Sequence, residues 1–315
     1  MDFALTALRT ITTPSVVQVF RGVGGGAFED GGNYVVGMDA EGLAAHDLDG
    51  DGIVDLVVGN EGEQDVQILQ GLADGGFAPQ APMPVGGYVT AVAVADETSD
   101  GHPDIVAFSG AGLACLPHLP DGGWDSPVTT AASPYVGILA DLNGDSIADA
   151  LYVLSTGGME VRLGNGDCTF GPPTTYAIDG AANIAVGDLN RDGLLDVAVS
   201  SINPTEGVVT VLLGAGAGVL GNQTTFDASA STDGVAIGDF DGDGFLDIAA
   251  ASHSTPATFV ALGNGDGTFQ SVRTFATDVD GVSLTVGDLN GDGRDDLVVP
   301  SHVAVDVNTL EGTCQ

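Results

Sequence analysis

The sequence predicts an all-β fold: a seven-bladed β-propeller of four-stranded antiparallel blades with calcium-binding hairpin loops, six blades being the alternative count. Three observations lead there. An aspartate-rich nonapeptide recurs six times, short β-branched runs flank its copies, and glycine makes up 49 of 315 residues, about twice its ordinary share of ~7%.

The nonapeptide has the form D-x-[D/N]-x-D-G-x-x-D. Its first copy is Asp47-Leu48-Asp49-Gly50-Asp51-Gly52-Ile53-Val54-Asp55, and later copies begin at Asp96, Asp141, Asp188, Asp239 and Asp288, in steps of 49, 45, 47, 51 and 49 residues. Self-similarity at a near-constant period of about 48 residues marks a repeat architecture. An apolar segment such as 184–187 runs into each copy, and another such as 196–199 leaves it. Both are short and bounded by Gly and Asp, so they read as strands and not as helices. A third strand follows, as at 208–213, then a glycine-rich turn with an aromatic residue, as at 263–269, then a more variable fourth strand. Four strands per repeat make the blade of a propeller. The third strand with its turn is counted seven times, first at 16–20, where no nonapeptide precedes it, and last at 303–307. That count gives a single domain over 1–315, with repeats at about 1–42, 43–90, 91–136, 137–183, 184–234, 235–282 and 283–315.

Calcium is a hard cation that takes about six to eight oxygen ligands, and alternate residues of a tight loop aim carboxylates at one point. The first copy offers the side chains of Asp47, Asp49, Asp51 and Asp55 and the backbone carbonyl of Ile53. The second offers Asp96, Thr98, Asp100 and Asp104 with His102; the third Asp141, Asn143, Asp145 and Asp149 with Ile147. The fourth offers Asp188, Asn190, Asp192 and Asp196 with Leu194; the fifth Asp239, Asp241, Asp243 and Asp247 with Phe245; the sixth Asp288, Asn290, Asp292 and Asp296 with Arg294. Up to six Ca²⁺ ions are expected. An EF-hand opens in the same way, but it needs a glutamate at position 12 and helices on both sides. Position 12 here is Val58, Ala107, Tyr152, Val199, Ala250 and Val299, so the loops belong to β-hairpins.

These residues resemble the FG-GAP/VCBS repeat family, whose best-known members are the propellers of integrin α subunits. The resemblance covers about residues 16–310, and 263–269 and 289–293 are close to the family consensus. It implies a seven-bladed propeller with calcium in hairpin loops on one face. It also implies a role in adhesion, in sugar binding as a lectin, or as a non-catalytic module of a large secreted protein. Thr98 at the third position of the second loop, Ser146 at the sixth of the third, and Cys168 where the turn usually has glycine depart from the pattern.

Charge narrows the partners. The chain carries 44 acids against six Lys+Arg, a net charge of −38. A protein must offer cations to phosphates, so nucleic acid is excluded as a partner, and an anionic membrane surface is disfavoured. Converging carboxylates without a cation would repel one another strongly. Loops of this ligand type in extracellular modules bind calcium with Kd of roughly 10⁻⁴–10⁻³ M, which argues for an extracellular or cell-surface location. No apolar run approaches the ~20 residues a bilayer crossing needs. The N-terminus lacks the basic and apolar regions of a secretory leader, so the chain is expected to be part of a longer secreted protein. Cys115, Cys168 and Cys314 are too few and odd in number for a disulfide framework.

The function expected from these features is a calcium-binding extracellular recognition or adhesion propeller, integrin α-like, taking a protein or glycan ligand. A lectin, or a non-catalytic scaffold of a larger secreted protein, is the alternative. No G-x-S-x-G elbow, P-loop or H-E-x-x-H is present, and the repeated carboxylates all fit metal loops, so no enzyme is expected. The face away from the loops carries the less repetitive connections, where recognition usually lives. There His253 and His302, each six residues past the last aspartate of its loop, are candidate ligand-binding residues, set against two solvated loop histidines. Trp124 occupies the aromatic position of the turn, shared with Phe28, Phe77, Phe170 and Phe269, where packing between blades outweighs stacking on a sugar.

Overall fold

A computed structural model describes residues 2–7, 13–202, 207–228, 231–252, 254–277 and 283–300, with the backbone of 307–310. The described residues are β-strands joined by turns. An N-terminal sheet is made of β1 (Phe3–Ala7), β2 (Val16–Gly24) and β3 (Ala27–Val35). The first blade follows, with β4 (Ala40–His46), β5 (Asp55–Asn60), β6 (Asp65–Gly71) and β7 (Phe77–Pro79) in that order, and β8 (Met83–Pro84) also paired to β6. The second holds β9 (Val89–Ala95), β10 (Asp104–Ser109), β11 (Gly112–Leu116) and β12 (Val128–Thr130). The third holds β13 (Pro134–Ala140), β14 (Asp149–Leu154), β15 (Met159–Arg162) and β16 (Thr174–Tyr176). The fourth is β17 (Ala181–Gly187), β18 (Asp196–Ser201), β19 (Val208–Gly214) and β20 (Leu220–Asp227). The fifth is β21 (Thr232–Gly238), β22 (Asp247–Ser252), β23 (Ala257–Ala261) and β24 (Arg273–Ala276). The sixth shows β25 (Thr285–Gly287), β26 (Asp296–Pro300) and β27 (Val307–Leu310). All pairings are antiparallel, and all but that of β8 with β6 join consecutive strands.

The expected count of seven blades is corrected to six. The repeated plan, an inner strand, an aspartate loop and a second strand, occurs six times, at β4–β5, β9–β10, β13–β14, β17–β18, β21–β22 and β25–β26. The N-terminal sheet is not a further copy of it. Among the described residues that sheet has three strands, and no aspartate loop joins any two of them. Its β2–β3 hairpin mimics the third and fourth strands of a blade, which is why counting third strands gives one unit too many.

Each blade is built from the inside outward. The second strands β5, β10, β18 and β22 are buried at every residue, because neighbouring blades cover both faces. Strands covered on both faces read as continuous apolar runs instead of alternating ones. The register slips near the start of the inner strand in each of the first five blades, for example between Ala40 and Gly42 and between Pro134 and Val136. A bulge of this kind bends a strand and raises its local twist. Inner strands also approach their neighbours closely: a Cβ on Gly137 would lie 2.2 Å from the Phe108 ring of the preceding blade.

The apolar core is not one mass. It divides into slabs, each shared by two successive sheets. Val17 and Val19 of the N-terminal sheet pack with Leu56 and Val58 of the first blade. Val57 and Ile68 of the first meet Ile105 and Ala107 of the second. Phe108 and Cys115 of the second meet Ala150 and Tyr152 of the third. The pattern continues with Leu151 and Val197, then Ala198 and Ile248, then Ala249 and Leu297.

One slab is also covalently tied. Cys115 on β11 and Cys168 in the β15–β16 turn form a disulfide between the second and third blades, their Cα atoms 5.5 Å apart. Spacing along the chain gave no basis for this pair, because it joins a strand of one repeat to a turn of the next, and only the packing of blades brings the two together. Both are buried. Among the described residues no helix is long and apolar enough to cross a membrane.

Candidate metal loops and an adjoining cleft

The six loops share one backbone path. Residues four and six of each are left-handed, with φ of 75° and 85° at Gly50 and Gly52 and of 77° and 83° at Gly242 and Gly244. Ser99, Arg191 and Ser146 hold the same conformation without being glycine, at 56°, 62° and 70°. Ser146 therefore follows the loop path, at the steric cost that a non-glycine residue meets there.

The path lets the aspartates organise the backbone. Asp47 accepts hydrogen bonds from the amides of Gly50 and Gly52, at 2.8 and 2.9 Å, and Asp239 does the same with Gly242 and Gly244. The fifth residue accepts the amide of the seventh in every loop: Asp51 from Ile53, Asp100 from His102, Asp145 from Ile147, Asp192 from Leu194, Asp243 from Phe245 and Asp292 from Arg294. Each of these bonds uses one carboxylate oxygen of the fifth residue.

The last aspartate does something more. Asp55, Asp104, Asp149, Asp196, Asp247 and Asp296 are all buried. In the first five, one oxygen accepts the amide of the loop's second residue and the other accepts an amide at the end of the third strand. Asp55 takes Leu48 and Gly71, Asp149 takes Leu142 and Gly164, and Asp247 takes Phe240 and Gly263. This residue thus fastens the loop to the blade, a role the nonapeptide pattern did not reveal. Burial pushes the carboxyls of Asp55, Asp104, Asp149 and Asp196 up, and that of Asp247 to about 6.

Carboxylate oxygens converge within 4.8 Å of one another at two loops, from Asp47, Asp49 and Asp55 and from Asp239, Asp241 and Asp247. An all-oxygen donor set of this charge suits a hard divalent cation. Where the third residue is Asn, its amide bonds within the loop: Asn143 donates to Asp145 and Asn190 to Asp192, each at 3.0 Å, and Asn290 to Asp296 at 3.3 Å. In the second loop Thr98 makes no such bond, and its amide donates to Asp104.

The second loop is also unusual at its second position. Leu48, Leu142, Leu189, Phe240 and Leu289 point this residue into the core, but here it is Glu97. Glu97 is fully buried, and neither carboxylate oxygen has a hydrogen-bond partner. Burial, then Asp104, Asp149 and Asp96, push it up to about 8.

Beside the first loop a cleft of about 220 Å³ opens between the first and second blades. Asp49, Gln70 and Gln80 line it from one side, His118 and Trp124 from the other. Trp124 is half-buried and stacks on His118 with ring centroids 4.5 Å apart. It serves the packing between blades and also borders the cleft. His253 and His302 lie outside the described residues.

A model of the FG-GAP-like repeat matches residues 47–107, 141–199, 188–250 and 239–299. Each span begins at the first aspartate of one loop and ends in the second strand of the next blade. No curated protein matches the chain. Among solved structures, the chain is similar to the BP39L lectin from Burkholderia pseudomallei, with 15% identity, 98% of this chain and 91% of that one covered, and a TM-score of 0.71. It is similar to an Agrocybe aegerita lectin described for specific recognition of non-reducing terminal N-acetylglucosamine, at 18% identity, 99% and 94% coverage and a TM-score of 0.63. It is also similar to BBS1N in complex with ARL6DN, at 13% identity, 99% and 92% coverage and a TM-score of 0.65. At these identities the likeness is one of fold.

Proposed function

We propose that this chain, which belongs to the FG-GAP-like repeat family, is a calcium-loaded recognition propeller that works outside the cell and binds glycans without transforming them. The observation that carries the calcium reading is the sameness of the six loops: one backbone path, left-handed at the fourth and sixth residues, and a buried last aspartate in every copy. A divalent cation offsets the repulsion those groups exert on one another. In this reading all six loops take Ca²⁺. Weak loops of this type fill at extracellular calcium levels, and the Cys115–Cys168 disulfide suits an oxidising compartment.

Glycan is favoured over an anionic or nucleic-acid ligand because the chain has almost no cations to offer. The two lectins of similar fold support it by analogy alone. A protein partner is the second reading, favoured by BBS1N, a propeller seen in complex with another protein. Two measurements test the proposal. Isothermal titration of the chelated protein with Ca²⁺ is expected to show up to six sites, and no uptake in millimolar calcium overturns the metal reading. A glycan array probed in calcium is expected to show selective binding; a blank array beside a positive protein pull-down shifts the function to the second reading.

A further inference from the structure

Two departures from the repeat meet at one place. In the first five loops the last aspartate marks equivalent positions in the third strands through the amide it accepts: Gly71, His118, Gly164, Gly214 and Gly263. Four of the five are glycine, closed against the loop. A Cβ there would lie 2.2–2.7 Å from a backbone oxygen, that of Leu246 at Gly263 and that of Leu195 at Gly214 for example. Among these five blades the second alone has a side chain at this position, His118. The residue just before it is Pro117, Leu163, Leu213 or Leu262 in four blades, and polar only in the first, where it is Gln70. Gln70 and His118 come from different blades, yet both line the same cleft.

Gln70 is also wired to the first loop. Its Nε2 donates to Asp49 Oδ2 at 2.9 Å, and its Oε1 accepts Nε2 of Gln80 at 3.1 Å. Asp49 both lines the cleft and belongs to the converging carboxylates of that loop. Across the cleft, His118 is 6% exposed and its Nδ1 has no partner. A buried polar atom left unpaired costs about 1–3 kcal/mol. A half-turn of the ring about χ2 exchanges that nitrogen with a carbon and presents it elsewhere.

We propose that this cleft binds one neutral sugar ring and that the cation in the first loop sets its readiness through Asp49, Gln70 and Gln80. The inference rests on the glycan reading above and names its site. The cleft is smaller than the ~300–1,000 Å³ of sites for drug-sized ligands, which suits a single ring. Its polar groups are two amides and an imidazole, which donate and accept, beside the carboxylates of Asp49 and Asp55, which accept, as hydroxyls require; those carboxylates and the net charge repel an anion. Trp124 and Ile68 supply apolar wall for the ring's C–H faces. With a cation on Asp49, the carboxylate is fixed, and the two glutamine amides take one orientation in turn.

Trp124 is the only tryptophan, so its emission reports the cleft directly. The full chain is titrated with free N-acetylglucosamine, galactose, mannose and fucose, with calcium and with chelator. Saturable change in calcium, weakened at least several-fold by chelator, is expected for at least one sugar. Gln70→Leu, the residue found in other blades, is expected to weaken it about tenfold, the loss of one or two hydrogen bonds, and to leave the melting temperature in place. A positive glycan array with binding unaltered in Gln70→Leu and His118→Gly overturns the cleft while the glycan reading stands. A blank array with silent Trp124 emission overturns both. Binding at the cleft that ignores chelator overturns the coupling to the loop.

Discussion

Asp196 accepts the amide of Gly214, at the far end of the third strand of its blade, at 2.7 Å, and with its other oxygen accepts Leu189 at 2.8 Å. Removing that carboxylate strands two buried amides. Asp196→Ala is therefore expected to destabilise the chelated protein by about 2–4 kcal/mol, read from urea unfolding. Asp192→Ala, at the exposed fifth position, is expected to change the chelated protein by under about 1 kcal/mol and to reduce calcium stabilisation instead. Equal effects of the two in chelator would contradict the division of labour between fastening and metal-holding aspartates.

Stability without metal should depend on pH in an uncommon direction. Asp247, Glu41 and Glu97 are raised to about 6, 7 and 8, chiefly by burial. A raised folded carboxyl binds more protons than its unfolded counterpart between about pH 4 and its folded value, so stability falls as pH rises through that window. In chelator, the melting temperature is expected to climb as pH is lowered from 8 to about 5. In saturating calcium the rise should be smaller or reversed, because protons displace the ion. A melting curve in chelator that falls on acidification from pH 8 would refute this.

Glu97→Leu restores the residue type of four other loops and removes a buried carboxyl with no partner. It is expected to stabilise the chelated protein by about 1–3 kcal/mol. Differential scanning calorimetry measures it, and a loss of stability would assign Glu97 a partner of its own.

The loops and their flanking strands were legible from sequence because their chemistry is local. Asp47, Gly50, Gly52 and Asp55 each occupy a fixed offset, and the second strands are continuous apolar runs. The number of blades was not legible. Residues 16–20 read as a third strand, and the lack of a nonapeptide before them is equally what a blade without metal would show. Gln70, Gln80 and His118 were out of reach for another reason, since only the packing of two blades brings them beside Trp124 in one cleft. Glu97 was within reach: a single charged residue in a column otherwise filled by Leu and Phe.

Reduction of the Cys115–Cys168 bond is expected to lower stability by about 2–4 kcal/mol. The double variant Cys115→Ser, Cys168→Ser should reproduce the effect, and reductant should then have none. Thermal unfolding with and without dithiothreitol decides it; an unaltered melting temperature in the oxidised and reduced chain would be the contrary result.

The division of the apolar interior into shared slabs has a mechanical corollary. No blade owns both halves of what holds it, so a blade cut out alone leaves two greasy flanks bare, whereas the same blade among its fellows leaves none. Coupling between next neighbours makes cooperativity a relay, strongest between adjacent units and fading with distance around the array. Injury at one boundary, such as a truncated Phe108, should loosen the second and third blades first and reach the fifth last.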